Sequence, residues 1–378
     1  MSSIFRDEFV LSADYLPKRI PHREKELEEL LTLFSSFIKR GEAGQVVLLT
    51  GPVGSGKTML ARKLCELGKE QTRRYGVRAV FCTVNSRIDR GPILVMNRIM
   101  ESLNLKFPRR GYNPSEAMCR VLEDLSKNRS TLFLVIDEVD ELIELSGSDI
   151  LYSMVRSGEI GYSVISLLLI SKRLDYLAKV DESLKSSLMG AHIKLSKYSK
   201  TELFDILWDR AELAFVPGCI SREVVEMIAD IASTNGDARL AIELLYKAGK
   251  YAEIEGGRKV TAKHVEKAKE FLPLLTYSYE LQDLEEREKV ILLVLANNYL
   301  KKELSMGELK ERVNEFLRGV GREEISHTSL WMSVKLLEAK GLVSTRVLSM
   351  GKGRSTFVSL KADPNLIRRM LMEEMRIS

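Results

Sequence analysis

The chain has 378 residues, a formal net charge of +5, 45% hydrophobic and 29% charged residues, which is too long for one core, too aliphatic for a disordered chain and too charged for a membrane bundle. Its longest apolar stretch, Val164 to Ile170 interrupted by one serine, falls far short of the roughly 18 residues that cross a bilayer. The opening MSSIFRDEF carries acids where a secretion signal has an apolar core, so a cytoplasmic protein with no membrane partner is expected.

After a short N-terminal arm, residues 23–39 carry leucines, Phe34 and Ile38 at helical spacing and predict one amphipathic helix. Gln45 to Thr50 is a β-branched and leucine run closed by Gly51, and a glycine-rich segment then opens a helix through Met59 to Lys69. Ala79 to Val84, Thr131 to Ile136 and Ser163 to Ile170 are further continuous apolar runs separated by helical pattern, as in a buried parallel sheet. Residues 1–195 therefore read as an α/β layer. Residues 196–278 carry helical periodicity alone, as in TELFDILWDRAELAF and REVVEMIADIAS, and read as an all-helical lid. From 279 to 378 the order is helix, helix, helix and two short strands around Met350-Gly351-Lys352-Gly353, the order of a winged helix. Cys65, Cys82, Cys119 and Cys219 stand at wide, unrelated spacings, which excludes a readable metal clamp or disulfide framework.

Gly51-Pro52-Val53-Gly54-Ser55-Gly56-Lys57-Thr58 matches the phosphate-binding loop in full and sits between a strand and a helix, as its mechanism requires. Glycines let backbone N–H groups turn inward around the phosphates of ATP or ADP, Lys57 reaches the outer phosphates, and Thr58 offers a hydroxyl to Mg2+. Leu132 to Glu138 is an apolar strand ending in two acids, about 80 residues further on. In a phosphoryl-transfer site Asp137 would hold Mg2+ and Glu138 would orient or deprotonate the attacking water.

With these motifs in place the chain resembles the archaeal initiator family related to the eukaryotic origin recognition complex and the cell-division-control loader, within the AAA+ ATPases. Tyr15-Leu16-Pro17 with Pro21-His22-Arg23-Glu24 resembles the family's N-terminal signature near the adenine pocket, which implies Tyr15 and Arg23 at the nucleotide. Gly236-Asp237-Ala238-Arg239 resembles its second sensor, whose arginine reaches from the lid to the γ-phosphate, giving Arg239 a catalytic role beside Lys57 and Glu138. The resemblance implies an AAA+ P-loop domain with a parallel sheet, a helical lid and a C-terminal winged-helix domain. His22 is read as a capping or packing residue.

Two departures bear on hydrolysis. The family's first sensor is an asparagine after the fourth strand, and this chain has Ile170-Ser171-Lys172; a lysine lacks the amide's ability to accept from water. Its arginine finger follows Asp-Pro, and here the run is Asp181-Glu182-Ser183-Leu184-Lys185, with Lys185 as a weak substitute. A finger changes phosphoryl-transfer rates by roughly three to five orders of magnitude, so slow hydrolysis is expected.

The last 99 residues hold 17 Lys or Arg against 15 Asp or Glu, yet between Lys335 and Lys361 the only acid is Glu338. Helix-turn-helix docking would turn Thr328, Ser329 and Ser333 to bases, with Lys352 and Arg354 of the wing on phosphates or in the minor groove. Trp331 is read as core. By resemblance Arg90, within the Arg87, Arg90 and Arg98 segment, touches DNA from the ATPase domain. These readings predict an ATP-dependent replication initiator that binds double-stranded origin DNA and helps recruit the minichromosome maintenance helicase, beside a second initiator paralogue. The alternative is an ATP-controlled winged-helix regulatory switch without origin specificity.

Overall fold

The structure, a computed structural model, describes residues 4–105, 113–160, 164–270, 281, 284–298, 303–350 and 353–375. The chain falls into two units, Met1–Val265 and Glu266–Ser378. Among the described residues no helix is long and apolar enough to cross a membrane.

In the first unit α1 (Glu24–Leu33) and α2 (Ser35–Arg40) precede β1 (Val46–Thr50) and α3 (Lys57–Arg74). Then come β2 (Ala79–Asn85), α4 (Pro92–Ser102), α5 (Pro114–Lys127), β3 (Thr131–Asp137), α6 (Val139–Ser146), α7 (Asp149–Val155), β4 (Ile165–Ser171), α8 (Glu182–Met189) and β5 (His192–Lys194). The five strands are parallel in the order β2-β3-β4-β1-β5. Both faces of β3 and β4 are covered, and these two strands are buried along nearly their whole length. Leu132, Leu134 and Ile136 of β3 enter one core with α4 to α8, and Phe133 and Val135 enter the other with α1 to α3. The single helix expected over 23–39 is broken at Phe34 (ψ 13°), which is fully buried and meets the Phe133 ring edge-on at 4.7 Å. The short strand β5 carries too few residues to show a pattern.

Four helices complete the unit: α9 (Lys200–Ala214), α10 (Arg222–Ser233), α11 (Ala238–Ile254) and α12 (Ala262–Lys269), whose end crosses into the second unit. The N-terminal arm, grouped with the α/β layer from sequence, packs on these lid helices as well as meeting that layer, where Arg62 of α3 donates to Ala13 O (3.1 Å) and Asp14 O (2.6 Å). Phe5 forms a β-bridge to Phe215, with ring centroids 4.8 Å apart, and the N–H groups of Arg6 and Asp7 donate to Ala214 O (2.8 and 3.1 Å). A Cβ on Gly249 would stand 2.4 Å from Phe5, so α11 needs a glycine there to admit the arm.

The second unit contains α13 (Glu286–Asn297), β6 (Leu304–Ser305), α14 (Met306–Gly319), α15 (His327–Ala339), β7 (Val343–Met350), β8 (Gly353–Leu360) and α16 (Pro364–Met375). The sheet order β6-β8-β7 with antiparallel pairing makes a winged helix. Helix α14 starts on a reciprocal cap between Ser305 and Glu308, and Asn314 Oδ1 accepts from Ile325 N–H (2.8 Å) to fix the turn before α15. The sequence reading lacks β6 and α16.

Leu134 has no exposed surface at the centre of the sheet. Leu134→Ala is expected to cost about 2–5 kcal/mol, read as a lower urea midpoint; an unchanged midpoint would mean that this face is not a close-packed core.

Candidate nucleotide site and nucleic-acid interface

Parallel strands align their carboxyl ends on one edge of the sheet, where open α/β folds take their ligands. Thr50 of β1 lies in register with Ser171 of β4, and Asp137 ends β3. The loop after β1 turns on Gly54 (φ 74°) and Gly56 (φ 94°). Gly54 has a second reason to lack a side chain: its Cβ would stand 1.9 Å from Asp237 Oδ1, and Gly54 O accepts from Ala238 N–H at 3.2 Å. The lid thus rests directly on the phosphate loop. Gly56 is the N-cap of α3 and no side chain caps that helix, so its first N–H groups are left for an anion. Lys57 Nζ donates to Gly51 O (2.7 Å) and Pro52 O (2.8 Å). Burial pushes its pKa down to about 8, with Arg239 adding to the fall and Asp137 opposing it. Glycine turns, an open helix start and a half-buried ammonium together fit a nucleotide's phosphates.

Thr58 Oγ1 donates to Asp137 Oδ2 at 2.7 Å. Burial raises the Asp137 pKa, against the pull of Thr58, Lys57 and Arg239. Among the described residues no cluster of three or more His, Cys, Asp or Glu could hold a metal. A hydroxyl and one carboxylate suit Mg2+, which keeps waters and substrate phosphates for its other positions.

Glu138 adopts a left-handed backbone (φ 58°, ψ 48°) as the residue before α6, a conformation that costs a non-glycine residue about 1–2 kcal/mol. Its carboxylate forms an ion pair with Arg87 Nε, and Arg87 also stands 3.6 Å from Glu141, which accepts from Lys172 Nζ at 3.3 Å. The residue expected to activate water is therefore held by an arginine from the segment after β2. Nothing in the sequence linked Arg87 to Glu138, because the contact spans the β2 to β3 crossover.

Arg23 is 2% exposed and lies behind the loop, donating to Ser55 O (3.0 Å), Ser196 O (2.7 Å) and His22 O (3.1 Å), with its guanidinium 4.1 Å from the Tyr198 ring centre. Its part is to hold the loop. Tyr15 is half-buried beneath Arg210, 4.5 Å away, and Arg210 donates to Val10 O. His22 bonds Asp205 of α9 at 2.8 Å. Arg239 is exposed at the start of α11, where Asp237 accepts from its N–H (2.8 Å), and its charge reaches Lys57 and Asp137. At the expected finger position Ser183 accepts from Arg156, a neighbour the sequence did not suggest, while Lys185 pairs with Glu182 at 3.1 Å.

Arg90 is exposed before α4, donating to Arg87 O at 3.2 Å. On α15, Thr328 is exposed and Ser329 is half-buried, its N–H donating to the capping Ser326 Oγ (3.1 Å). Ser333 is a correction: it is 4% exposed and donates to Glu288 Oε1 at 2.5 Å, so it faces the core and not bases. The three-residue step from Ser333 to Leu330 and the four-residue step to Leu337 place it on the inner stripe. Lys352 lies outside the described residues, and Arg354 stands in β8 opposite Ser349.

Family models for the AAA domain, the Cdc6 AAA+ ATPase-type lid domain and the Cdc6 C-terminal winged helix domain match residues 39–172, 204–270 and 280–370. ORC1-type DNA replication protein 2 of Sulfurisphaera tokodaii is 32% identical over 95% of this chain and 90% of its own length. ORC1-type DNA replication protein 1 of Aeropyrum pernix is 33% identical over 99% and 96%. The solved structure of the Aeropyrum pernix ORC1 protein in complex with DNA aligns with a TM-score of 0.85 at 32% identity, covering 99% of this chain and 98% of that one.

Two outcomes follow from the site. Only the ammonium form of Lys57 attracts phosphate, so ATP affinity should hold below pH 8 and fall as pH rises through it, by up to about tenfold per unit; a flat titration of Kd would contradict the lowered pKa of this lysine. Glu138→Gln should keep ATP binding and lower hydrolysis by about 10²–10⁴, whereas Arg87→Ala, by releasing the carboxylate, should raise steady-state turnover. Turnover unchanged in Arg87→Ala would show that the ion pair does not restrain Glu138.

Proposed function

The chain belongs to the family of ORC1-type DNA replication proteins, and from that premise we propose that it is an ATP-dependent replication initiator that binds double-stranded origin DNA through its winged helix. The observation that carries the reading is the lid contact on the phosphate loop, Ala238 N–H to Gly54 O at 3.2 Å, in a chain that aligns over its whole length with an ORC1 protein in complex with DNA. A ligand in the loop between core and lid favours their closed arrangement by mass action.

Lys57 and the N–H groups at the start of α3 bind the phosphates, and Arg239 adds positive charge from the lid. Thr58 and Asp137 hold Mg2+, which supplies charge neutralisation on the phosphates. Glu138 orients water once Arg87 lets it go. Hydrolysis is slow because Glu138 is ion-paired, Lys172 is engaged by Glu141 and Ser183 replaces the finger. A second initiator paralogue and the replicative helicase are the partners this reading names, and the cytoplasm is where it acts.

The test measures binding to origin duplex and scrambled duplex across a salt series, with ATP or ADP. The Lys352→Ala, Arg354→Ala variant should lose origin preference and lower the salt slope by about two units. Equal, weak binding of both duplexes would replace this reading with the regulatory switch.

A further inference from the structure

Helix α15 presents an outer face whose chemistry differs from that of most groove-reading helices. Leu330, Ser333, Val334 and Leu337 point into the core, and Thr328, Met332 and Leu336 recur at four-residue spacing on the opposite side. Met332 is 67% exposed and Leu336 43%. On β7, Val347 is 59% exposed. None of the three belongs to the core of the second unit.

The side chains that read purines by paired hydrogen bonds are Arg and Lys for guanine and Asn and Gln for adenine. The helix carries no Arg, Asn or Gln. Its one lysine, Lys335, donates to Glu338 at 2.7 Å and lies 5.0 Å from the Trp331 ring centre. Ser333 is turned inward and Ser329 is engaged by Ser326. At the middle of the outer face only Met332 and Leu336 remain to meet base edges. The major-groove feature that an apolar side chain recognises is the C5-methyl group of thymine.

The surroundings favour DNA over a protein as the occupant. Lys340 ends the helix, Arg346 stands on β7 and pairs with Glu303 at 2.9 Å, and Lys361 follows β8; between Lys335 and Lys361 the only acid is Glu338, and that carboxylate is occupied by Lys335 and by the Thr345 N–H at 2.9 Å. A phosphate backbone would find more basic than acidic side chains in this window.

Resting on the reading of the winged helix as a DNA-binding module, we propose that Met332 and Leu336 are specificity-determining residues that read thymine methyl groups in the major groove. The recognised sites then contain adjoining thymines at the positions the helix covers. The affinity depends on methyl groups more than on hydrogen-bonding edges there.

The experiment uses the full chain with ATP and Mg2+. Retained duplexes from a random-sequence pool are sequenced, and the preferred duplex is resynthesised with deoxyuridine in place of thymidine under the helix, which removes only the methyl groups. Wild type should lose about fourfold in affinity per contacted methyl. The Met332→Ala, Leu336→Ala variant, altered at exposed positions and checked for an unchanged unfolding midpoint and ATP affinity, should bind the thymine and uracil duplexes alike. Equal binding of both duplexes by wild type overturns the proposal while leaving DNA binding intact. If wild type retains no duplex at low salt, the DNA-binding reading falls with it, and the stripe is a protein-contact face.

Discussion

The arrangement of the nucleotide site depends on one buried guanidinium. Arg23 reaches backbone carbonyls of the phosphate loop at Ser55 and of the strand-to-lid connection at Ser196, and its plane lies against Tyr198. Ser55 is fully buried, so without Arg23 its carbonyl would lose this donor, and an unpaired buried acceptor costs about 1–3 kcal/mol. Arginine suits the task because its planar fork can meet several acceptors at fixed angles, which a lysine cannot. The loop shape, the path of the chain into the lid and the position of Tyr198 beside Gly56 are set together. Gly54 extends that coupling to Asp237, whose side chain caps α11 and so aims Arg239.

What could be read from the sequence was whatever local spacing carries. The phosphate loop, the apolar strand ending in Asp137 and Glu138 and the helices around α15 each express a period or a motif within one stretch of chain. Contacts between distant stretches have no such signature. Arg87 on Glu138, Arg156 on Ser183 and Phe5 on Phe215 join segments far apart in sequence, and each had to be seen. Ser333 differs from its expected place for a related reason: a serine in a helix with hydroxyls at its start reads as part of the polar face, although its spacing from Leu330 and Leu337 puts it inside. Its burial is tolerable because Glu288, from α13, accepts its hydrogen bond. The strands β5 and β6 are too short for alternation to register.

The features that bind phosphate and those that would break it differ in state. The loop, Lys57 and the Thr58 to Asp137 pair are in place, held by Arg23 behind them and by Asp237 above. On the side where water would attack, Glu138 is held by Arg87, position 172 offers a lysine already shared with Glu141, and Ser183 carries no charge. Under the proposed function, a ligand that is bound and turned over slowly serves as a structural part. Its binding free energy then acts on the equilibrium of the elements it joins, the loop and the lid, for as long as it stays bound. On this reading the segment between β2 and α4 matters twice, since Arg87 restrains the carboxylate while Arg90, three residues on and bonded to the Arg87 carbonyl, is exposed.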